Sequence, residues 1–485
     1  MWAHGLDDAK IVVSPEAPAL FRRGEELAGG TILTGRPAAV FRHATLTLEP
    51  GEERHWHLAL DGARDHVQVE ELRTMLRADE DLDARIAAAL EKATRELEYL
   101  LARADAFQCT AQRIDDHHHT ANVLFNVMRG GTFYRDDTIP PADFQRFLRQ
   151  RTGERTTGLH GETVDSLGGL LERTADDGLE DEYRLALEYL PLHFGRRHGD
   201  PSRPWNRFEI RVRDHLGERV LSYQGNWRDI FQNWEALALS YPRFLPNMIA
   251  RFVNASTVDG FNPYRVVREG GGWEVEDRDD PWSFIGYWGD HQIIYLLKLV
   301  EWAQCAVPED FERMLTTRAF TYTDVPYRLR PHDDIVDDPH QTLDFDDEAA
   351  ERIAARTETE GTDAQLVHRA DGSIVRVGLL EKLLVPVLSK LSNLVADGGI
   401  WMNTQRPEWN DANNALVGHG VSMVTLCYLR RYLARLWPLY QNSDRFTIST
   451  AVRVWLDEVR GVLERFRGTL SDDVVDDATR RARSE

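Results

Sequence analysis

Three segments of the 485-residue chain share one layout. Each sets an aspartate beside Trp and Gly or Asn, just before or at the start of an apolar helical run. YQGNWRDIFQNWEALAL carries Asp229, DDPWSFIGYWGDHQIIYLLKLVEW carries Asp290, and RPEWNDANNALVGHGVSMVTLCYLRRYL carries Asp411. Five of the 13 tryptophans, Trp227, Trp234, Trp282, Trp288 and Trp409, stand beside these acids. A sugar ring needs flat aromatics for its C–H faces and carboxylates, amides and guanidinium groups for its hydroxyls. Glycosyl transfer also needs a carboxylic acid to protonate the leaving oxygen. One aspartate alone would read as a helix cap worth about 1 kcal/mol. Three in a row, each with tryptophan neighbours, favour a sugar site.

The three segments resemble the three motif regions of the cellobiose phosphorylase family and its relatives among the inverting, six-hairpin (α/α) glycosidases. YQGNWRDIFQN resembles the family's G-x-R-D-x-x-Q-D segment. YWGDHQIIYLLKLVEW resembles the segment that carries the general acid. EWNDANNALVGHGVSMVTL resembles the W-N-D-G-x-N…G-x-G-E-S-V-W segment, and the order along the chain is the same. The resemblance covers roughly residues 200–440. It implies that Asp290 is the general acid and that Arg228 and Asp229 grip sugar hydroxyls, with Asn410 and Asp411 shaping the same subsite. Trp227, Trp288 and Trp409 would complete the substrate-binding set. The chain departs from the pattern at Asn233, where the family often has Asp, at His291, and at Val421, which replaces a Glu.

Hydrolysis with inversion needs a second carboxylate to activate water, about 6.5–9.5 Å from the acid. Phosphorolysis needs only the acid, plus groups that hold inorganic phosphate as co-substrate. Glu408, Asp411 and Glu274 are candidate bases. His291, His419, Ser422 and Arg228 are candidate phosphate ligands. Both sets are present, so both reactions stay open. The rival reading is a non-catalytic carbohydrate-binding or regulatory toroid, which Val421 favours.

Other motifs carry less. Asp116 and the run His117–His119 invite a metal, but neighbours on a helix point about 100° apart, so a run of three rarely supplies three ligands. No metal and no organic cofactor is expected. Asn122, Asn126 and Arg129 follow on one helical face and suit a cavity mouth. Asn254, Asp259, Asn262 and Arg265 lie in a polar loop between two motif segments and are expected to border the cavity. Neither Gly130–Gly131 nor Gly270–Gly272 has phosphate-loop context.

Most of the elements that must position these residues are helices. Apolar spacing at i, i+3, i+4 and i+7 predicts helices near 117–128, 142–150, 176–191, 227–239, 242–253, 286–304, 308–317, 345–356, 378–395, 418–438 and 446–469. A hairpin is expected near 207–223, and 320–376 reads as an acidic surface excursion or lid. The fold expected is mainly α: an (α/α)6-type toroid over 108–485 and an amphipathic linker helix over 69–107. Residues 1–68 read as β-strands, among them IVVSPEAPALF. About four to five strands fit there, thin for a free-standing sandwich, so the expectation is either a small β-cap or a partial N-terminal β-sandwich, the tail of a larger, truncated β-domain.

The charge sets the partners. Acidic residues outnumber basic ones 80 to 58, a net charge of -22. That excludes a general nucleic-acid binder and a peripheral binder of anionic membranes, and leaves an oligosaccharide or glycan as partner. Oligomeric state is left open. Only five of the basic residues are lysines, Lys10, Lys92, Lys298, Lys382 and Lys390. Such a composition fits either a GC-rich genome with ordinary acidity or a saline cytoplasm, where the Debye length is about 3 Å at 1 M salt. The three cysteines, Cys109, Cys305 and Cys427, are far apart and form no disulfide framework or zinc ribbon. Without an apolar leader or span in the sequence, a cytoplasmic location is expected.

Overall fold

A computed structural model describes residues 2–6, 9–28, 30, 39–60, 64–78, 81–194, 214, 220–263, 265–270, 272–273, 292–339, 341–402, 419–441, 446–468 and 476–484. The chain is mainly helical with small sheets. It divides into two compact units, 1–98 and 99–485. Among the described residues no helix is long and apolar enough to cross a membrane.

In the first unit β1 (Trp2–His4) pairs antiparallel with β4 (His57–Ala59), and β2 (Lys10–Val13) pairs antiparallel with β3 (Val40–His43). Between β2 and β3 lies α1, Ala17–Arg22, where a strand was expected. Pro18 in its first turn has a fixed φ that suits a helix start. Val12, Ala17 and Leu27 form a small core with Leu20 and Phe41 packed against it. The expected linker helix is two helices, α2 (His66–Ala78) and α3 (Leu82–Arg103), and α3 continues into the second unit. None of the residues of α2 is buried.

The second unit begins its helical series with α4 (Arg113–Gly130), α5 (Pro141–Thr152), α6 (Leu167–Asp176), α7 (Glu180–Glu188), α8 (Trp227–Ser240) and α9 (Leu245–Asn254). A single π turn, Gln292–Leu296, then leads into α10, Leu297–Ala306. α11 (Pro308–Thr316), α12 (His332–Asp337), α13 (Asp347–Glu360), α14 (Leu379–Leu391), α15 (Met423–Gln441), α16 (Thr450–Phe466) and α17 (Asp477–Ser484) follow. Predicted helix 176–191 is largely α7. α6 escaped the periodicity because Gly168 and Gly169 each weaken a helix by about 1 kcal/mol relative to Ala. Its start is secured by Ser166, whose hydroxyl accepts the Gly169 N–H at 3.1 Å. The predicted hairpin near 207–223 falls mostly outside the described residues.

Two helices lie wholly or almost wholly inside, polar side chains included. α9 is buried end to end, and α14 is buried from Leu379 to Lys390. The end of α7 would leave carbonyls unpaired. Asn247 of α9 answers them: its amide donates to the carbonyls of Ala186, Leu187 and Tyr189 at 3.0–3.1 Å. α4 crosses α8 so closely that a Cβ on Gly130 would lie 2.4 Å from Leu237 Cβ. Only glycine permits that approach.

The acidic stretch 320–376 is a folded layer rather than a loose excursion. Tyr327–Leu329 pairs antiparallel with Leu343–Phe345. Asp346 caps α13 by accepting the Ala349 N–H at 2.9 Å, and a hairpin closes with the Val375 N–H on the Val367 carbonyl at 2.8 Å. Phe320, Thr321 and Tyr322 are buried.

Candidate functional site

The first motif segment enters α8 from a short strand, Gln224–Asn226, paired with Arg265–Val267. On α8 the apolar stripe is Trp227, Phe231 and Trp234, all buried. Trp227 meets Phe231 and Phe252 edge-on at 5.6 and 5.0 Å. It is therefore a core residue of α8, where a sugar-stacking surface was expected. The neighbouring stripe is polar: Arg228, Gln232 and Glu235, at i, i+4 and i+7. Arg228 and Asp229 are partly exposed, with Arg228 Nε 3.6 Å from Asp229 Oδ1.

The helices that follow the three motif segments come together. The π turn and α10, after the second segment, pack against α8, and the π turn also packs against α15, after the third. Between them, with the end of α4, lies a cavity of about 490 Å³ lined by Arg129, Gln232, Glu235, Tyr295, Lys298 and Tyr428 among others. Gln232 donates to the Tyr295 hydroxyl at 2.8 Å. Burial raises the Tyr295 pKa, against the opposing pull of Gln232, Arg228 and Lys298, so the phenol is protonated at neutral pH. Lys298 pairs with Glu235 at 3.0 Å, each about a quarter exposed. Arg129 donates through Nε to Asn233 Oδ1 at 3.2 Å and lies over the Phe125 ring. The cavity thus combines two cations, one carboxylate, an amide and phenol groups. These can hold a polar or anionic ligand.

Of the residues named from sequence, Arg228 and Asp229 stand on the same helix as Gln232 and Glu235, and both act electrostatically on Tyr295. Ser422 caps α15: its hydroxyl accepts the Thr425 N–H at 3.1 Å and pairs with Thr425 Oγ1 at 2.8 Å. His419 is exposed before the strand Val421–Ser422. Asp290, Trp288, His291, Glu274, Glu408, Trp409, Asn410 and Asp411 lie outside the described residues. Of Asn122, Asn126 and Arg129, Arg129 lines this cavity, and Asn126 donates to the Ser240 hydroxyl at 3.2 Å. His119 Nε2 lies 2.7 Å from the Asp105 carbonyl oxygen.

Gln232, Glu235, Tyr295 and Lys298 were not singled out from sequence. Two signals were available: a polar residue every three or four positions along α8, and one of only five lysines inside the apolar run IIYLLKLV.

A second constellation was not foreseen at all. Arg151 of α5, Arg184 and Glu188 of α7, and Asp363 between α13 and α14 are all buried. Asp363 accepts from Arg184 at 2.6 and 3.2 Å and from Arg155 at 2.6 Å, and Arg151 stands 3.0 Å from it. Glu188 accepts from Arg151 and, at 2.7 Å, from Asn254. Burial pushes the Asp363 carboxyl up, but Arg184, Arg151 and Arg155 overcome it and hold it below the ordinary range. Asp181, at the start of α7, behaves alike: burial raises it, and Arg184 and Arg155 hold it well below the carboxylate range. Asn254, expected beside a cavity, belongs to this cluster. Two facing glycines bring the chain in. Gly153 and Gly361 both have positive φ, +56° and +73°, and a Cβ on Gly361 would lie 2.6 Å from Gly153 N. Compared with known proteins, the chain matches no protein-family model and no curated protein sequence.

Proposed function

We propose that this chain is a carbohydrate-active enzyme, built on an (α/α) six-hairpin scaffold, that cleaves a glucoside or oligosaccharide with inversion. Asp290 protonates the departing oxygen, and Arg228 and Asp229 orient the sugar. One observation carries this reading: the helices following three like motif segments, far apart in sequence, converge on a single polar cavity. Arg129 and Lys298 on that cavity favour phosphorolysis over hydrolysis, since cations hold the phosphate nucleophile. Glu235, the carboxylate on the cavity wall, pairs with Lys298 and would have to release it to the phosphate.

The test compares wild type with Asp290→Asn on disaccharides and β-glucans, with and without inorganic phosphate. Loss of a general acid lowers turnover roughly a hundredfold or more. Turnover that depends on phosphate and yields a sugar phosphate supports phosphorolysis; undiminished turnover by Asp290→Asn sinks the assignment. The non-catalytic reading draws on Val421, and on the use of the Ser422 hydroxyl as a helix cap. It predicts glycan binding without turnover in wild type.

A further inference from the structure

Beside the buried ion cluster lies another cavity, of about 430 Å³. One wall is the hairpin 366–376, where His368 pairs across from Ile374. Arg376, two residues beyond Ile374, falls on the same face, because side chains alternate along a strand. The opposite wall carries Arg155, Asp181 and Asp363.

The acids of that wall are already satisfied. Asp363 takes Arg151, Arg155 and Arg184, and Asp181 takes Arg155 and Arg184. Arg376 is not. Its Nε is buried without a hydrogen-bond partner. The carboxylates nearest to it, Glu180 and Asp181, stand 3.5 and 3.6 Å away, beyond ordinary hydrogen-bond length. His368 uses Nδ1 on the Leu366 carbonyl at 2.6 Å. That leaves Nε2, a donor in the imidazolium form, for a ligand.

Glu360 also lines the cavity, and Glu180 stands at its edge beside Arg376. Asp181 and Asp363 are taken up by Arg184 and Arg155, with Arg151 also on Asp363, and against the effect of burial their carboxyl groups are depressed by that field. A planar guanidinium with unused donors matches an oxyanion better than any neutral group does.

We propose that this cavity binds a small oxyanion ligand, a phosphate ester or a carboxylic acid, gripped by Arg376 with His368. The proposal does not depend on Asp290 or on the motif helices.

The experiment is calorimetric titration of the full chain with inorganic phosphate and with malate, at matched ionic strength. Saturable binding is expected in wild type. It should weaken about tenfold or more in Arg376→Gln and several-fold in His368→Gln, as a charge-assisted bond is lost. Arg453→Gln, an exposed arginine paired with Asp457, should bind as wild type does. Tighter phosphate than malate identifies a phosphate ester, and the reverse identifies a carboxylic acid. Circular dichroism checks the fold of each variant; if Arg376→Gln does not fold, His368→Gln decides. Absence of saturable binding for both probes in wild type overturns the proposal. So does wild-type affinity in the folded Arg376→Gln variant, or in His368→Gln where that variant decides.

Discussion

The ion cluster around Asp363 and the cavity around Lys298 use the same side-chain types to opposite ends. In the cluster, Arg151, Arg184, Glu188 and Asp363 are all buried, and each carboxylate has several cationic or amide partners. In the cavity, Lys298 and Glu235 form one pair, each 28% exposed. Desolvated charges are costly and stay only when fully paired. Half-solvated charges cost little and can change partners when a ligand arrives. The difference teaches that charge density alone does not mark a site; exposure, which lets a charge change partners, does.

That contrast can be broken by mutation. Asp363→Ala should be the most damaging, destabilising the protein by about 3–5 kcal/mol in urea unfolding, because it leaves buried arginines unpaired. A loss under 1 kcal/mol would show that the cluster is not the fastening described above.

Acid should probe the same cluster. Asp181 and Asp363 have depressed native pKa values, so their contribution is fully present above the unfolded value of about 3.9. It is lost as pH falls below that value and through the native one. Asp181→Asn should therefore flatten the decline of stability below about pH 4, measured as midpoint against pH.

Lys382 offers the converse case. It is buried, its Nζ has no hydrogen-bond partner, and it lies 3.6 Å from the centroid of the Tyr322 ring. Burial pulls its pKa far down against the opposing effect of Glu381. The unfolded chain then binds a proton that the native chain does not, from the native pKa up to about 10.4. Lys382→Met should raise stability by about 1–3 kcal/mol. The gain should grow as pH falls from 10 towards the native pKa, and a gain independent of pH would contradict this account.

The smallest stability effect belongs to the cavity. Lys298→Met should change unfolding free energy by about 1 kcal/mol or less while weakening turnover or ligand binding much more. The reverse pattern would make Lys298 a structural residue and remove the distinction between the two regions.

Much of the helical framework was legible because apolar spacing near 3.6 residues needs no tertiary information. Where local chemistry conflicted with that spacing, the reading slipped: Gly168 and Gly169 hid α6, and the apolar run around Pro18 looked extended. The cluster was illegible for another reason. Arg151 and Glu188 are 37 positions apart, and Arg184 and Asp363 are 179 apart. No sequence period links them, so only the packed chain brings them together. The candidate site was partly legible. The motif segments run into helices that border one cavity, but Trp227 was assigned to the sugar when it belongs to the buried stripe with Phe231 and Trp234. The polar stripe one residue further on carried the cavity-lining groups.

The π turn at Gln292–Leu296 has a consequence for how this chain tolerates length change. A π turn holds one residue more than the α turn it replaces. Removing a single codon within it would let an unbroken α-helix form. The turn before and after would keep its facing, because the surplus residue is held within that one turn. Each residue of a regular α-helix turns the chain by about 100°, so the same deletion inside α10 would rotate Lys298 out of phase with the residues beyond it. A one-residue loss is therefore absorbed at the π turn and is damaging in the regular helix that follows.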